Sequence, residues 1–217
     1  MYKLVLFDLD GTLTDPKVGI TTAVQYALKS FGIDVANPDD LLNFIGPPLR
    51  DSFSQFYGFS ADDAELAVAK YREYYSVTGI FENDLYPGIS QTLKTLHDKG
   101  VTLAVATSKP AVYARQILEH FSIDNYFAFV AGSELDGTRS VKSEIINYAL
   151  GELAITDGAG AIMVGDREYD INGAKNAGIN SVGVTYGYGS RGELRDAGAT
   201  YIVDTVAELG RLLVDVT

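Results

Sequence analysis

Short runs of apolar residues recur along the chain at Leu4–Phe7, Val101–Ala106, Phe127–Ala131, Ala161–Val164 and Ser181–Thr185. Each is rich in residues that suit a strand buried on both faces. Between the runs, apolar positions recur with helical period over Ile89–Lys99, closed by Gly100, and over Ala111–Phe121, with Pro110 at the expected first helical position. The same period continues over Lys142–Leu153 and over Ile171–Ala177, closed by Gly178. Strand and helix in alternation predict an α/β fold built on a doubly wound parallel sheet.

Residues from about 18 to 78 break the alternation. Apolar positions there keep a helical period, at Ala23, Ala27, Leu28 and Phe31 and again at Leu66, Ala69 and Tyr74, and no run reads as a strand. Asn37-Pro38-Asp39-Asp40 and Gly46-Pro47-Pro48 cut the segment into short helices. The expected organisation is a sheet domain over 1–16 and 80–217 with a helical insertion over 17–79 after the first strand.

Composition narrows the partners. In 217 residues, 47% are hydrophobic and 21% charged, an ordinary globular balance with enough chain for one large core or a core plus a small inserted domain. The formal net charge of −12 argues against nucleic acid and anionic membrane as partners, since both are held by clustered Lys and Arg. An acidic protein acting on an anion must supply local positive charge from a metal, a lysine or a helix N-terminus. The chain has no cysteine, which excludes disulfides and thiolate metal sites. The apolar stretch near the N-terminus, Leu4–Phe7, is too short for a secretion signal, and no run approaches the ~18 residues of a membrane span, so a cytoplasmic location is expected.

Ligands of open α/β sheets sit beyond the carboxyl ends of the strands. After the first strand come Asp8-Leu9-Asp10-Gly11-Thr12-Leu13, with two acids two apart and a glycine that permits a sharp turn. Like charges so close need a cation between them or a retained proton, and hard oxygen ligands suit Mg2+; the alternative is a pair of solvated turn acids. The second run leads into Thr107-Ser108-Lys109-Pro110, hydroxyls at a helix start that suit a phosphate oxygen or simply cap the helix. Lys142 opens a helix, where its charge opposes the macrodipole, so it either neutralises a carboxylate and a phosphoryl group or is an exposed first-turn lysine. Gly165-Asp166-Arg167-Glu168-Tyr169-Asp170 puts two acids four apart, which on a helix start would share a face, Asp166 as a metal ligand with Asp170 ligating the metal or orienting its waters, or both as acids favoured by the dipole. Acids, hydroxyl, lysine and acids again, each beyond a strand or at a helix start and in chain order, form a set that its members singly do not.

That set resembles the haloacid dehalogenase-like superfamily, with Asp8-Leu9-Asp10-Gly11-Thr12-Leu13 as the first motif, Thr107 as the second, Lys142 as the third and Gly165-Asp166 with Asp170 as the fourth. The likeness spans residues 3 to about 205. Within the superfamily the chain is similar to phosphoglycolate phosphatase-like and 5′-nucleotidase-like members, through Thr107-Ser108-Lys109-Pro110, Ile45-Gly46-Pro47-Pro48-Leu49-Arg50 and Thr185-Tyr186-Gly187-Tyr188-Gly189. The resemblance implies a Rossmann-like core with an inserted α-helical cap domain. It implies a Mg2+-dependent phosphatase acting on a small-molecule phosphate monoester, with Asp8 as nucleophile and Asp10 as general acid and base. Thr107 and Lys142 would hold the phosphoryl group; Asp8, the Asp10 backbone, Asp166 and Asp170 would hold the metal.

Gly11, Ser108, Lys109 and Arg50 are candidate substrate contacts. Lys109 either assists at the phosphate or is an exposed lysine at a helix start; Arg50 either binds a second anionic group or pairs with an acid on the insertion. One departure from the family pattern is Ser143 after Lys142, where many relatives carry proline. A sugar-phosphate mutase would share Asp8 and Asp10 but needs more cationic groups than Lys17, Lys29, Arg50, Lys70 and Arg72 for a bisphosphorylated intermediate. A catalytically silent binding module on the same fold would not require the complete set of acids. The expected assembly is a monomer or homodimer.

Overall fold

No side chain of Leu4–Phe7 reaches water, so the first strand (β1) is covered on both faces, as an unbroken apolar run requires. The computed structural model describes residues 1–155 and 158–217. After β1 the chain makes β2 (Thr14–Asp15), α1 (Lys17–Lys29), α2 (Leu49–Tyr57), α3 (Ala61–Tyr75) and β3 (Asp84–Leu85). Strand and helix then alternate through α4 (Ile89–Asp98), β4 (Thr102–Pro110), α5 (Ala111–His120) and β5 (Phe129–Ser133). The chain continues through α6 (Lys142–Glu152), β6 (Ala161–Gly165), α7 (Glu168–Asn176) and β7 (Asn180–Val184), and closes with α8 (Arg191–Ala197), β8 (Tyr201–Val203) and α9 (Val206–Val216).

Six strands pair in the order β5-β4-β1-β6-β7-β8, every pairing parallel. The chain therefore winds outward from β1 in both directions, the doubly wound arrangement expected. Period-2 alternation sends Leu4 and Leu6 to one face, where they meet Ala104, Ala106, Met163 and the buried faces of α6 and α7 at Ile145, Ile146, Ala149 and Ala174. Val5 and Phe7 turn to the other face and are fully buried there.

Several boundaries differ from expectation for local reasons. β4 runs past Ala106 to Pro110 because its register with β5 shifts between those residues, and Pro110 caps α5 rather than starting it. α7 begins three residues early, at Glu168, because Asp170 accepts the Arg167 N–H at 3.1 Å and so stabilises an earlier first turn. β8, with three residues, leaves little periodicity to read, and α8 and α9 flank it without an expectation from the sequence.

Residues Pro16–Asp84 form one compact unit; Met1–Asp15 with Leu85–Thr217 form the other. In the helical unit, α1 buries Ala23, Ala27 and Leu28 as expected, together with Ile20 and Val24, while Phe31 lies past its end and is half-buried. α3 does not follow expectation. It buries Ala64, Ala67, Val68, Tyr71 and Tyr75, while Leu66 and Ala69 face solvent. The phase is set by small residues that let α3 approach its neighbours and by two tyrosines stacked at 5.0 Å, a combination that Leu66 masks in a hydrophobicity reading. Phe53 stacks on Phe59 at 5.8 Å and meets Phe44 edge-on at 5.0 Å, forming an aromatic centre within this unit. Among the described residues, no helix is long and apolar enough to cross a membrane.

Candidate active site

Parallel register decides which strand ends meet. Phe7 lies level with Val105 of β4 and Val164 of β6, so the residues just past β1 emerge between Ala106-Thr107 and Gly165-Asp166. Asp8 continues the ladder for one step, its N–H donating to Val164 O at 2.9 Å. The chain then turns sharply, with the N–H groups of Leu13 and Thr14 both donating to Leu9 O. Gly11 sits in this turn at φ +79°, and a Cβ there would lie 2.2 Å from Asp166 Oδ2, so both conformation and space demand glycine.

Lys142 is the first residue of α6 and is buried. Its Nζ lies 3.0 Å from Asp8 Oδ1 and 2.8 Å from Asp170 Oδ1 and donates to Ala106 O at 3.2 Å, three partners for three ammonium hydrogens. The reading of Lys142 as an exposed first-turn lysine is therefore corrected. Its side chain passes so close to α7 that a Cβ on Gly173 would stand 2.6 Å from Lys142 Cγ. Burial alone would lower the ammonium pKa, but Asp170 and Asp8 outweigh it and the net shift is upward.

Asp8, Asp166 and Asp170 each offer a carboxylate oxygen within 4.8 Å of the others, all three residues buried. Asp166 Oδ2 accepts the Tyr188 N–H at 2.7 Å, while Asp166 Oδ1 is buried without a hydrogen bond. Asp166 lies before α7 and not on it, so the two acids converge through the strand–helix turn rather than by sharing a helix face. Burial, reinforced by Asp170 and Asp8, pushes the Asp166 carboxyl well up from its ordinary range. Burial likewise raises Asp170 to about 6, opposed by Lys142 and assisted by Asp8.

Asp10 is buried too, but its side chain belongs to a different pairing. Oδ2 lies 2.8 Å from Lys109 Nζ, and Oδ1 has no hydrogen bond. The Lys109 side chain is only 6% exposed and springs from the end of β4, which overturns its reading as an exposed lysine at a helix start. Burial raises the Asp10 carboxyl, Lys109 opposes the shift and Asp8 adds to it. Thr107 is likewise a strand residue and not a cap of α5. Its Oγ1 accepts the Lys109 N–H at 3.2 Å. Ser108 Oγ donates to Ser140 O at 3.4 Å and its carbonyl accepts from Ser133 Oγ at 2.8 Å, tying the β4 and β5 ends to the approach to α6.

Four buried carboxylates thus face two ammonium groups, a surplus of negative charge that a divalent cation would relieve. The all-oxygen donor set and the unbonded Asp166 Oδ1 fit Mg2+. Asp8, Asp166 and Asp170 come together as side chains, whereas the Asp10 carboxylate stands outside that cluster. Arg50 belongs to the helical unit, where its Nε donates to Glu65 Oε2 at 2.8 Å on an exposed surface. That pairing is the second of the two readings given for it.

The Tyr186–Gly189 loop has a task that local sequence does not announce. Tyr186 Oη donates to Thr12 O at 3.0 Å, Tyr188 Oη donates to Asp15, and the Tyr188 N–H holds Asp166. The Tyr-Gly-Tyr-Gly spacing was its only local signal.

A family model described as haloacid dehalogenase-like hydrolase matches residues 5–184. Among curated relatives, the 5′-nucleotidase of Pseudomonas aeruginosa is 47% identical over 98% of this chain and 96% of its own. Tyrosine-protein kinase PtkA of Mycobacterium tuberculosis is 40% identical over 97% of this chain and 71% of its own. A phosphoglycolate phosphatase of Vibrio parahaemolyticus is 32% identical over 95% of this chain and 94% of its own. Among solved structures, a predicted phosphatase from Clostridium acetobutylicum superposes with TM-score 0.96 at 49% identity, covering 99% of both chains.

Proposed function

Since the chain belongs to the haloacid dehalogenase-like hydrolase family, we propose that it is a Mg2+-dependent phosphatase that hydrolyses a small-molecule phosphate monoester through an aspartyl-phosphate on Asp8. Phosphoglycolate and nucleoside 5′-monophosphates are the substrate class, in keeping with the names carried by relatives. The observation that carries the reading is the division of labour among buried acids. Asp8 is paired with Lys142 beside Asp166 and Asp170, while Asp10 is paired separately with Lys109.

Asp8 Oδ1 accepts the Leu9 N–H at 2.8 Å and faces Lys142, which leaves Oδ2 as the attacking oxygen. In the first displacement the Oδ2–P bond forms, the bond from phosphorus to the leaving oxygen breaks, and Asp10 gives that oxygen its proton. In the second, water attacks phosphorus, Asp10 takes the water's proton, and Asp8 leaves as the free carboxylate with phosphate released. Thr107 holds a phosphoryl oxygen, and Lys142, in contact with Asp8, offsets the charge that Asp8 and the phosphoryl group bring together. Mg2+ held by Asp8, Asp166, Asp170 and the Asp10 backbone supplies further positive charge for the phosphoryl oxygens.

The test is phosphate release with and without Mg2+ from a panel of phosphoglycolate, nucleoside monophosphates, sugar phosphates, p-nitrophenyl phosphate and a phosphotyrosine peptide. Asp8→Asn should lower kcat by more than about 10³-fold while leaving the fold intact. Hydrolysis that survives in Asp8→Asn, or that needs no divalent cation, refutes the reading.

A further inference from the structure

Asp10 and Lys109 form an ion pair that stands apart from the Asp8–Lys142–Asp170 group, and both partners are almost inaccessible to water. Two lysines thus enter one site with different acids. A buried ion pair repays its desolvation only when its geometry is well made, so a pair retained here calls for a task other than stability. The backbone supports the pair as well. The Lys109 N–H donates to Thr107 Oγ1, and the Ser108 carbonyl is held by Ser133 Oγ, so the strand end that carries Lys109 is anchored on both sides. At the other partner, Lys109 occupies Oδ2 of Asp10 and leaves Oδ1 without a hydrogen bond.

We infer that Lys109 is the positioning residue for Asp10: by gripping Oδ2 it selects the carboxyl rotamer and keeps Oδ1 for proton exchange with the leaving oxygen. The inference rests on the proposed phosphatase chemistry and extends it to a residue whose charge acts on another side chain instead of on the phosphate. A carboxyl group with free rotation about Cα–Cβ and Cβ–Cγ spends little time where proton transfer is in reach. Fixing one of its oxygens removes that freedom.

The rival role for a lysine at this place is direct phosphate binding, and the two roles separate by leaving group. An alkoxide from an alkyl or sugar phosphate needs a proton as the ester bond breaks, whereas p-nitrophenolate leaves without one. Lys109→Met should therefore lower kcat/KM, which reports formation of the aspartyl-phosphate, by about 10–100-fold for alkyl phosphates and by less than about 3-fold for p-nitrophenyl phosphate. Asp10→Asn should show the same selectivity, and Lys109→Met/Asp10→Asn should be no slower on alkyl phosphates than Asp10→Asn alone, since the two residues act as one unit. Lys109→Gln, which keeps a hydrogen-bond donor and carries no charge, gives a second reading if the methionine variant folds poorly. An equal loss of kcat/KM on both ester types, or additive effects in the double variant, overturns the inference. Those outcomes leave the phosphatase reading untouched, which stands or falls with Asp8→Asn.

Discussion

Lys142 is the residue on which the candidate site's electrostatics turn. It touches two acids and a backbone carbonyl from inside the protein, so its removal strands Asp8 and Asp170 as buried neighbours with no counter-charge. Lys142→Met should destabilise the metal-free protein by about 3–5 kcal/mol, the cost of breaking a buried pair, as read from urea denaturation. Mg2+ should recover part of that loss, because the cation restores positive charge to the same acids. Asp8, Lys142, Asp166 and Asp170 were legible as candidates because each stands directly after an apolar run or at a helix start. Which acid each lysine meets was not legible: Lys109 lies 99 positions from Asp10 in the chain, and only strand register brings them within 2.8 Å.

At the scale of elements, periodicity read well where the large apolar residues lay on the buried face and misled where one lay outside it. β1 and α1 fall where their patterns put them. In α3 the buried face is built from two alanines, a valine and two tyrosines, while a leucine sits outside. Leu66→Glu should accordingly change stability by less than about 0.5 kcal/mol, and Val68→Ala on the buried face should cost about 1–3 kcal/mol, measured by chemical denaturation. The reverse ranking would mean that the phase read from burial is wrong. The α7 boundary shows the same limit from another side. Its first turn is set by the bond between the Arg167 N–H and Asp170, a side-chain cap that a hydrophobicity pattern does not record.

For the molecule as a whole, buried acids link folding, protons and metal. Asp166 and Asp170 have carboxyl groups above their ordinary range, the latter at about 6. Between the ordinary carboxylate value and about 6, the folded chain holds protons that the unfolded chain has released, so metal-free stability falls as pH rises through that window. Mg2+ binds the ionised acids and competes with those protons. At a concentration about 100 times its dissociation constant, Mg2+ should raise Tm by about 5–10 °C near pH 7.5 and by much less near pH 5, measured by thermal scanning of the metal-free protein. An equal shift at both pH values would separate the cation site from these two acids. The sequence alone determined the α/β class, and it pointed to the helical segment and to the acids, hydroxyls and lysines beyond the strands, because each is written in local pattern and chain order. Tertiary structure decided that Lys109 serves Asp10, that the Tyr188 N–H steadies Asp166, and which face of α3 is covered. Those depend on strand register, close approach and desolvation, which arise only when distant segments pack.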